Sequence, residues 1–376
     1  MTDVLARIAG GVASFAAADW DRCAGSGNPF LSHAFLSILE ESGSATPRTG
    51  WQPAPIAIDG ADGLPAAVMP AYVKSHSQGE YVFDHGWADA FERAGGAYYP
   101  KLQIAVPFTP VPGRRLLTAD AALAPALIGA AEAVVRRHGL SSAHATFIAP
   151  EEVEIFERAG WLIRIDSQFH WHNDGYADFE AFLASLSSRK RKAIRKERAA
   201  ALEGLDVHLL TGPELREAHW DAFWSFYQDT GSRKWGRPYL TRGFFSLLGE
   251  RMGDRVLLVL ATRHGLPVAG ALNLIGADAL YGRYWGALIE ARHLHFELCY
   301  YQAIDFAISA GLARVEAGAQ GAHKLSRGYR PVPTFSAHFL ADPRLKGAVA
   351  DYLEAERRAV AGEMAELAAF TPFRKG

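Results

Sequence analysis

The sequence predicts a mixed α/β protein built from two similar halves. Three observations carry this expectation. Segments with helical periodicity alternate with strand-like segments along the whole chain. At 376 residues the chain is longer than one hydrophobic core normally supports. Gly-Leu-Pro occurs at 63–65 and 265–267, and Tyr-Tyr at 98–99 and 300–301, both 202 positions apart (265 minus 63, 300 minus 98). Equal offsets near half the chain length point to a duplicated domain. The expected division is 1–165 and 166–376. The junction at 165–178 has no Pro/Ser-rich linker, so the halves are expected to pack tightly.

In the first half, "NPFLSHAFLSILEESG" (28–43) predicts a helix, with Pro29 at its start and Phe35, Leu36 and Leu39 on one face. "APIAID" and "LPAAVMPAYV" predict strands joined by the turn "DGADG". "KLQIAVPF" (101–108) reads as a strand and 118–139 as an alanine-rich helix ending at Gly139. A strand at 143–149, a short helix and the strand "WLIRIDSQFHW" follow. The second half repeats the plan: a helix over 179–204, the strand "LDVHLL", two helices, and a run of strands from "VLLVLATR" to "YGRYWGA". The helix "LCYYQAIDFAISAGL", the strand "ARVEAG" and a final helix over 343–370 complete it.

Composition excludes several classes. A net charge of −2 argues against wholesale nucleic-acid binding, though not against a local basic groove. Cys23 and Cys299 are the only cysteines and have no CxxC spacing, against a disulfide framework or a structural zinc site. No apolar run approaches membrane-spanning length and the start is no convincing signal peptide, so the expected compartment is the cytoplasm. His170/His172 and His293/His295 have metal-compatible spacing, but neither pair has a third ligand nearby, so no metal is expected. GxSxG and P-loop signatures are absent.

The order of elements resembles the GNAT acyltransferase fold. Residues 106–139 stand where that fold places its acyl-donor loop, with a single glycine, Gly113, between Pro110 and Arg115. "IFERAGW" (155–161) resembles the segment that closes a GNAT domain. A larger resemblance covers about 28–360. "NPFLSHAFLSILEESGSA", "YVKSHSQGEYVFDHGWADAFERAGGAYYPKLQIAVPF", "SLSSRKRKAIRKER" and "EAGAQGAHKLSRGYRPVPTFSAHF" are similar to the FemAB-like peptidoglycan biosynthesis/recognition family of tandem GNAT-like proteins. The resemblance implies transfer of an aminoacyl group from aminoacyl-tRNA, or of an acyl group from acyl-CoA or acyl-carrier protein, onto an amine. These donors would be co-substrates, with no cofactor permanently bound. The family more often has Gly-Glu-His-Lys where this chain has Gly321-Ala322-His323-Lys324, which leaves the base open.

Amide formation needs a polarised carbonyl, a neutral amine and a proton acceptor. In 316–331, glycine-rich backbone can approach a ligand closely and cations can stabilise an oxyanion. Lys324 is the first candidate for oxyanion or donor-phosphate contact, and His323 or Glu316 for the proton. Gly318, Gln320, Gly321, Arg327 and Arg330 are candidates for the donor's phosphate. The alternative is a tight turn with solvent-facing cations.

"SSRKRKAIRKER" (187–198) puts Arg189, Lys190 and Arg191 on a basic helix, a track for tRNA or CoA phosphates or for anionic headgroups at the inner membrane face. His76, Glu80, Tyr81, Tyr98 and Tyr99, with Asn273 and Arg283 of the second half, are candidates for an acceptor pocket in the cleft between the halves. The expected function is N-acylation of a primary amine on a cell-envelope precursor or amino-lipid, with the protein peripheral at the inner membrane face where its substrate is lipid-linked. The competing readings are a non-catalytic recognition module for an anionic envelope component and an RNA-binding protein using 187–198.

Overall fold

The computed structural model describes residues 5–234, 238–318 and 321–374. They fall into two compact units, Met1–Asp166 with Pro333–Gly362, and Ser167–Val332 with Glu363–Gly376. The first unit opens with β1 (Ala6–Ile8), α1 (Ala17–Ala24) and α2 (His33–Glu41). Ser32 caps α2 by accepting from the Phe35 amide, and Phe35, Leu36 and Leu39 are buried, as their spacing predicts. Then come β2 (Trp51–Pro53), β3 (Ile56–Asp59), β4 (Pro65–Met69), β5 (Ala71–Lys74), α3 (His85–Arg93), β6 (Lys101–Ile104) and β7 (Leu117–Thr118). After these, α4 (Ala124–His138), β8 (Ser142–Ile148), α5 (Val153–Arg158) and β9 (Leu162–His172) follow, and β9 ends inside the second unit. Gly139 closes α4 at φ 63, the left-handed cap expected of it.

The second unit continues with α6 (Phe179–Ser185), α7 (Ser188–Ala201), β10 (Asp206–Leu210), α8 (Glu217–Lys234), α9 (Arg242–Met252), β11 (Val256–Arg263), β12 (Leu266–Ile275) and β13 (Ala279–Ala287). One helical stretch follows as α10 (Leu294–Phe296), a π turn (Glu297–Tyr301) and α11 (Gln302–Ser309). β14 (Arg314–Glu316) follows. Then β15 (Arg330–Leu340) leads back to the first unit, and α12 (Pro343–Ala369) closes the chain.

In the first unit one sheet has the order β1-β3-β4-β7, and another runs β2-β5-β6-β8-β15. Within the latter only β6 and β8 pair in parallel among the described pairs. One face of it, with Ala71, Leu102, Ile104, Ala143 and Ala145, packs on the buried face of α4. In the second unit the order is β10-β11-β12-β13-β14-β9, with β13 and β14 parallel. Its core is built on Trp171, Phe182, Leu257, Tyr301 and Ile304.

Four features depart from the sequence reading. Residues Pro333–Gly362 belong to the first unit, because β15 pairs with β8 and Leu345, Val349 and Leu353 of α12 pack with Trp87 and Tyr98. The helix expected over 179–204 breaks at Leu186, which is extended and bridges to Phe373. β15 and α3 fall where no element was expected. Of the repeated pairs, Gly63 and Gly265 both have positive φ, 77 and 76, in hairpin connections of different length, 60–64 and 264–265, whereas Tyr98-Tyr99 lies before a strand and Tyr300-Tyr301 in the π turn.

Candidate functional site

The second unit carries a cavity where its two parallel strands cease to pair. β13 and β14 are in register from Ala279–Arg314 to Tyr281–Glu316. Beyond that pair, residues 282–285 and Ala317 line a cavity of about 100 Å³. A β-bulge shapes this end of β13: Leu272 opposes Tyr284 while Asn273 opposes Gly282, so Arg283 is the extra residue. The bulge puts the Arg283 guanidinium, which is fully buried, in the cavity wall.

Asn273 is in the same wall. Its amide nitrogen donates to the Leu257 carbonyl at 3.2 Å, but its buried Oδ1 has no hydrogen-bond partner among the described residues. The π turn contributes Cys299 and Tyr300, a use of such turns that recurs at functional sites. A second cavity of about 460 Å³ shares Trp285 and His295 with the first.

The 316–331 stretch folds against this region. Lys324 lies in a 3₁₀ turn (Ala322–Arg327) and is 2% exposed. Its Nζ donates to the carbonyls of Ala317 at 2.7 Å and Gly318 at 2.9 Å. Burial, reinforced by Arg283, lowers its pKa to about 7 against a smaller opposing effect of Cys299. Two donated hydrogen bonds leave one position on the nitrogen, a lone pair when neutral and a third N–H when charged.

His323 is exposed and its Nε2 lies 3.0 Å from the Tyr300 hydroxyl, with its pKa lowered by partial burial and by Arg327 and Lys324. Gly321 has φ 120, and a Cβ there would lie 2.4 Å from the His323 ring. Gly318, at φ 75, supplies a carbonyl to Lys324.

The other candidates from this stretch are engaged elsewhere. Glu316 is buried between two guanidiniums, Arg314 at 3.0 Å and Arg283 at 3.5 Å. Arg327 donates to the His323 carbonyl and to Glu197, and stacks 3.5 Å over Phe296. Arg330 is exposed, paired with Asp174 and set over Phe373. Gln320 lies outside the described residues. Arg189, Lys190 and Arg191 occupy the start of α7, with no ion pair among the described residues, while Arg198 at its far end pairs with Glu297.

In the first unit, His76, Glu80, Tyr98 and Tyr99 are parts of one buried ionic network. Lys101 Nζ donates to Ser77, to Glu80 at 2.7 Å and to Asp84. Lys74 stacks 3.9 Å from the Trp51 ring, contacts His76 Nδ1 at 3.3 Å and lies 3.8 Å from Glu80. Burial drives Lys74 down to about 7 and Glu80 up to about 7. Burial also works against the Lys101 charge, but Glu80 and Asp84 outweigh it and raise its pKa. Tyr98 donates to Asp84, Tyr99 bonds Ser77, and Tyr81 sits at φ 62 in the covering segment. Lys74, His144 and His338 were not singled out from sequence, nor were Cys299 and Trp285. A lysine closing an apolar strand run was the available signal for Lys74.

The loop at 110–115 is closed upon itself. Arg115 is buried and donates to the carbonyls of Val111, Gly113, Arg114 and Thr146, and Arg114 donates to Cys23, Ala24 and Thr118. The backbone amides of Arg115 and Leu116 donate to the Glu152 carboxylate at 2.7–2.9 Å. Among the described residues, no group of three or more His, Cys, Asp or Glu side chains is placed to hold a metal ion. No described helix is long and apolar enough to cross a membrane.

Antiparallel strands leading to a parallel pair, β6–β8 in one unit and β13–β14 in the other, define a mixed α/β protein of two units. The chain belongs to the FemAB-like peptidoglycan biosynthesis/recognition family, whose model matches residues 11–375. The fold is similar to that of the solved FemX (TM-score 0.58, 12% identity, covering 89% of this chain and 98% of that one). It is also similar to the C-terminal domain (DUF2156) of a putative lysylphosphatidylglycerol synthetase from Agrobacterium fabrum (0.54, 11%, covering 84% and 96%). L-PGS from Bacillus licheniformis is similar at 0.51 and 10% identity, covering 93% and 99%. No curated protein sequence matches the chain.

Proposed function

We propose that the chain is an N-acyltransferase of cell-envelope synthesis, with its chemistry in the second unit. The carrying observation is the cavity beyond the last β13–β14 pair, electrostatically coupled to a buried lysine held near neutrality. Membership of a peptidoglycan biosynthesis/recognition family supports acyl or aminoacyl transfer in that setting. The donor is an acyl-CoA, an acyl-carrier protein or an aminoacyl-tRNA, and the acceptor a primary amine of an envelope precursor or amino-lipid. The protein would work in the cytoplasm, peripherally at the membrane where its substrate is lipid-linked.

In this mechanism the amine nitrogen attacks the donor carbonyl and a C–N bond forms. The C–S bond of a thioester, or the C–O bond of an aminoacyl ester, breaks. Neutral Lys324 takes the proton the amine loses and returns it to the leaving sulfur or oxygen. Asn273 Oδ1 accepts an N–H of the amine, and the Arg283 guanidinium favours the oxyanion. Lys324 is thereby a base, where the sequence suggested a cation at the oxyanion.

The test is to incubate the purified protein with each donor class and a panel of primary amines, reading products by mass. A new amide, lost in Lys324→Met, is the expected result. Absence of any amide with every donor would overturn the reading and favour the non-catalytic recognition module. The closed loop of the first unit, which has no room for a donor phosphate beside Glu152, supports that second reading.

A further inference from the structure

One side chain of the second unit stands between its two neighbouring cavities. On β12, Ala269, Ala271 and Asn273 share a face, because strand side chains alternate. Their register partners on β13 are Ala287, Trp285 and Gly282. This face looks away from α8, since a Cβ at Gly270 or Gly286, on the opposite face, would meet Phe226 of that helix. Gly282 keeps to the same face past the bulge, because its Cβ would lie 3.2 Å from Asn273 Oδ1. The face is therefore lined by glycine, alanine and one asparagine, with Trp285 as its single large side chain.

The small positions are where space remains. The cavity of about 100 Å³ is lined by Gly282 and Asn273, and that of about 460 Å³ by Ala287. Trp285 lines both and lies between Gly282 and Ala287 along the strand, so its indole is a partition. His295 of α10 also lines both and completes the partition from the covering helix, its ring set edge-to-face with the indole at 5.1 Å between centroids. Close-packed interiors leave few voids of this size. Two of them on either side of one indole call for a reason.

Cavity size supplies it. An apolar cavity of 150 Å³ holds benzene, so about 100 Å³ holds roughly four non-hydrogen atoms. An acetyl, propionyl or glycyl group fits, and an octanoyl group needs about twice the space. We infer that Trp285, closed against His295, determines the length of the transferred group, admitting short acyl or aminoacyl groups and turning back medium-chain ones. The inference rests on acyl transfer taking place in the smaller cavity. Without the indole the two cavities merge, and the larger one receives the tail of a longer chain.

The test uses N-acetylcysteamine thioesters of acetyl, propionyl and octanoyl groups, which present the acyl carbonyl without the phosphates of a natural donor. Their binding to the full chain and to three variants is measured by calorimetric titration. Trp285→Ala removes the partition. Loss of a large side chain from a packed region is destabilising, so Trp285→Phe, which keeps a smaller ring against His295, is the second variant. Ile289→Ala enlarges the larger cavity without touching the partition. Wild type should bind the propionyl thioester about tenfold or more tighter than the octanoyl one. Trp285→Ala should reverse that order by about tenfold or more, Trp285→Phe should shift it the same way by less, and Ile289→Ala should keep the wild-type order. An octanoyl thioester bound by wild type as well as the propionyl one would overturn the inference. So would an order unchanged in the Trp285 variants, or no binding of any thioester. Amide formation by wild type with equal use of short and octanoyl donors would leave acyl transfer standing and remove the role of Trp285. A reversed binding order without any amide would instead remove acyl transfer and keep Trp285 as the gate of a binding cavity.

Discussion

Replacing Lys324 by methionine separates its chemistry from its packing. The methionine keeps an unbranched apolar chain of similar length but cannot titrate. The folded lysine has a pKa of about 7, against 10.5 for the ordinary side chain. Between these values the unfolded chain binds more protons than the native one, so the lysine makes stability rise with pH across that window. Integrating from pH 7 to pH 9 gives about 2 kcal/mol in favour of wild type relative to Lys324→Met. Denaturant titrations of both proteins at the two pH values read this difference directly. The same base role predicts a loss of about 10²-fold or more in kcat/KM for acyl transfer. In wild type, kcat/KM should rise with an apparent pKa near 7, the value held down by burial and by Arg283. Lys324→Arg retains the cation but cannot deprotonate, so it should be as inactive as Lys324→Met. A stability difference that stays flat from pH 7 to pH 9, or full activity in Lys324→Arg, would refute the argument.

Two further predictions concern the second unit. A Cβ at Gly286 would lie 2.1 Å from the Phe226 carbonyl oxygen, so Gly286→Ala should force α8 off β13 and cost about 3 kcal/mol, read as a lowered denaturant midpoint. If the start of α7 holds donor phosphates, reversing Arg189, Lys190 and Arg191 to glutamate should raise the donor KM about tenfold or more at unchanged kcat. The same change should flatten the salt dependence of donor binding, and titration of the donor at two ionic strengths checks both.

What the sequence reveals about this molecule follows from how local each feature is. Hairpins, caps and helix faces depend on neighbours within a few residues. The Gly63 and Gly265 turns, the Gly139 cap and the buried side of α2 are accordingly legible. Lys324 is legible because its glycines, histidine and carbonyl partners all lie within eight residues of it. Arg283 is legible only in part. Its place in the cavity wall depends on a bulge, and a bulge is a property of two strands in register. Cys299 looks like an ordinary core residue, and only the π turn brings it to the cavity. The network of the first unit is the least legible. Lys74 closes β5 and Lys101 opens β6, at strand termini where a cation ordinarily reaches water. Here segment 75–84 folds over them: Lys74 meets His76 and Glu80 within six residues, whereas Lys101 reaches Ser77, Glu80 and Asp84 from 17 to 24 residues on, and His338 meets His144 at 2.7 Å.

In the closed loop of the first unit a carboxylate takes the place an anion would hold. Two consecutive backbone amides, those of Arg115 and Leu116, converge on Glu152, an arrangement equally suited to a phosphate oxygen. Burial raises the Glu152 pKa to about 6 even though these donors favour its charge. Because the folded value lies above the ordinary 4.5, the unfavourable part of this burial develops as pH rises from 4.5 to 6, and is fully present at pH 7. Removing the carboxylate is still the worse outcome. Glu152→Ala leaves both amides and the buried Arg115 guanidinium without their anion, a loss of about 3 kcal/mol at pH 7. It also vacates an anion position, so inorganic phosphate should restore part of the lost stability in Glu152→Ala and do nothing for wild type. Thermal melts with and without phosphate, matched for ionic strength with chloride, read the effect. Equal responses of the two proteins would mean that the loop never had the form of an anion site, and that its single glycine reflects packing alone.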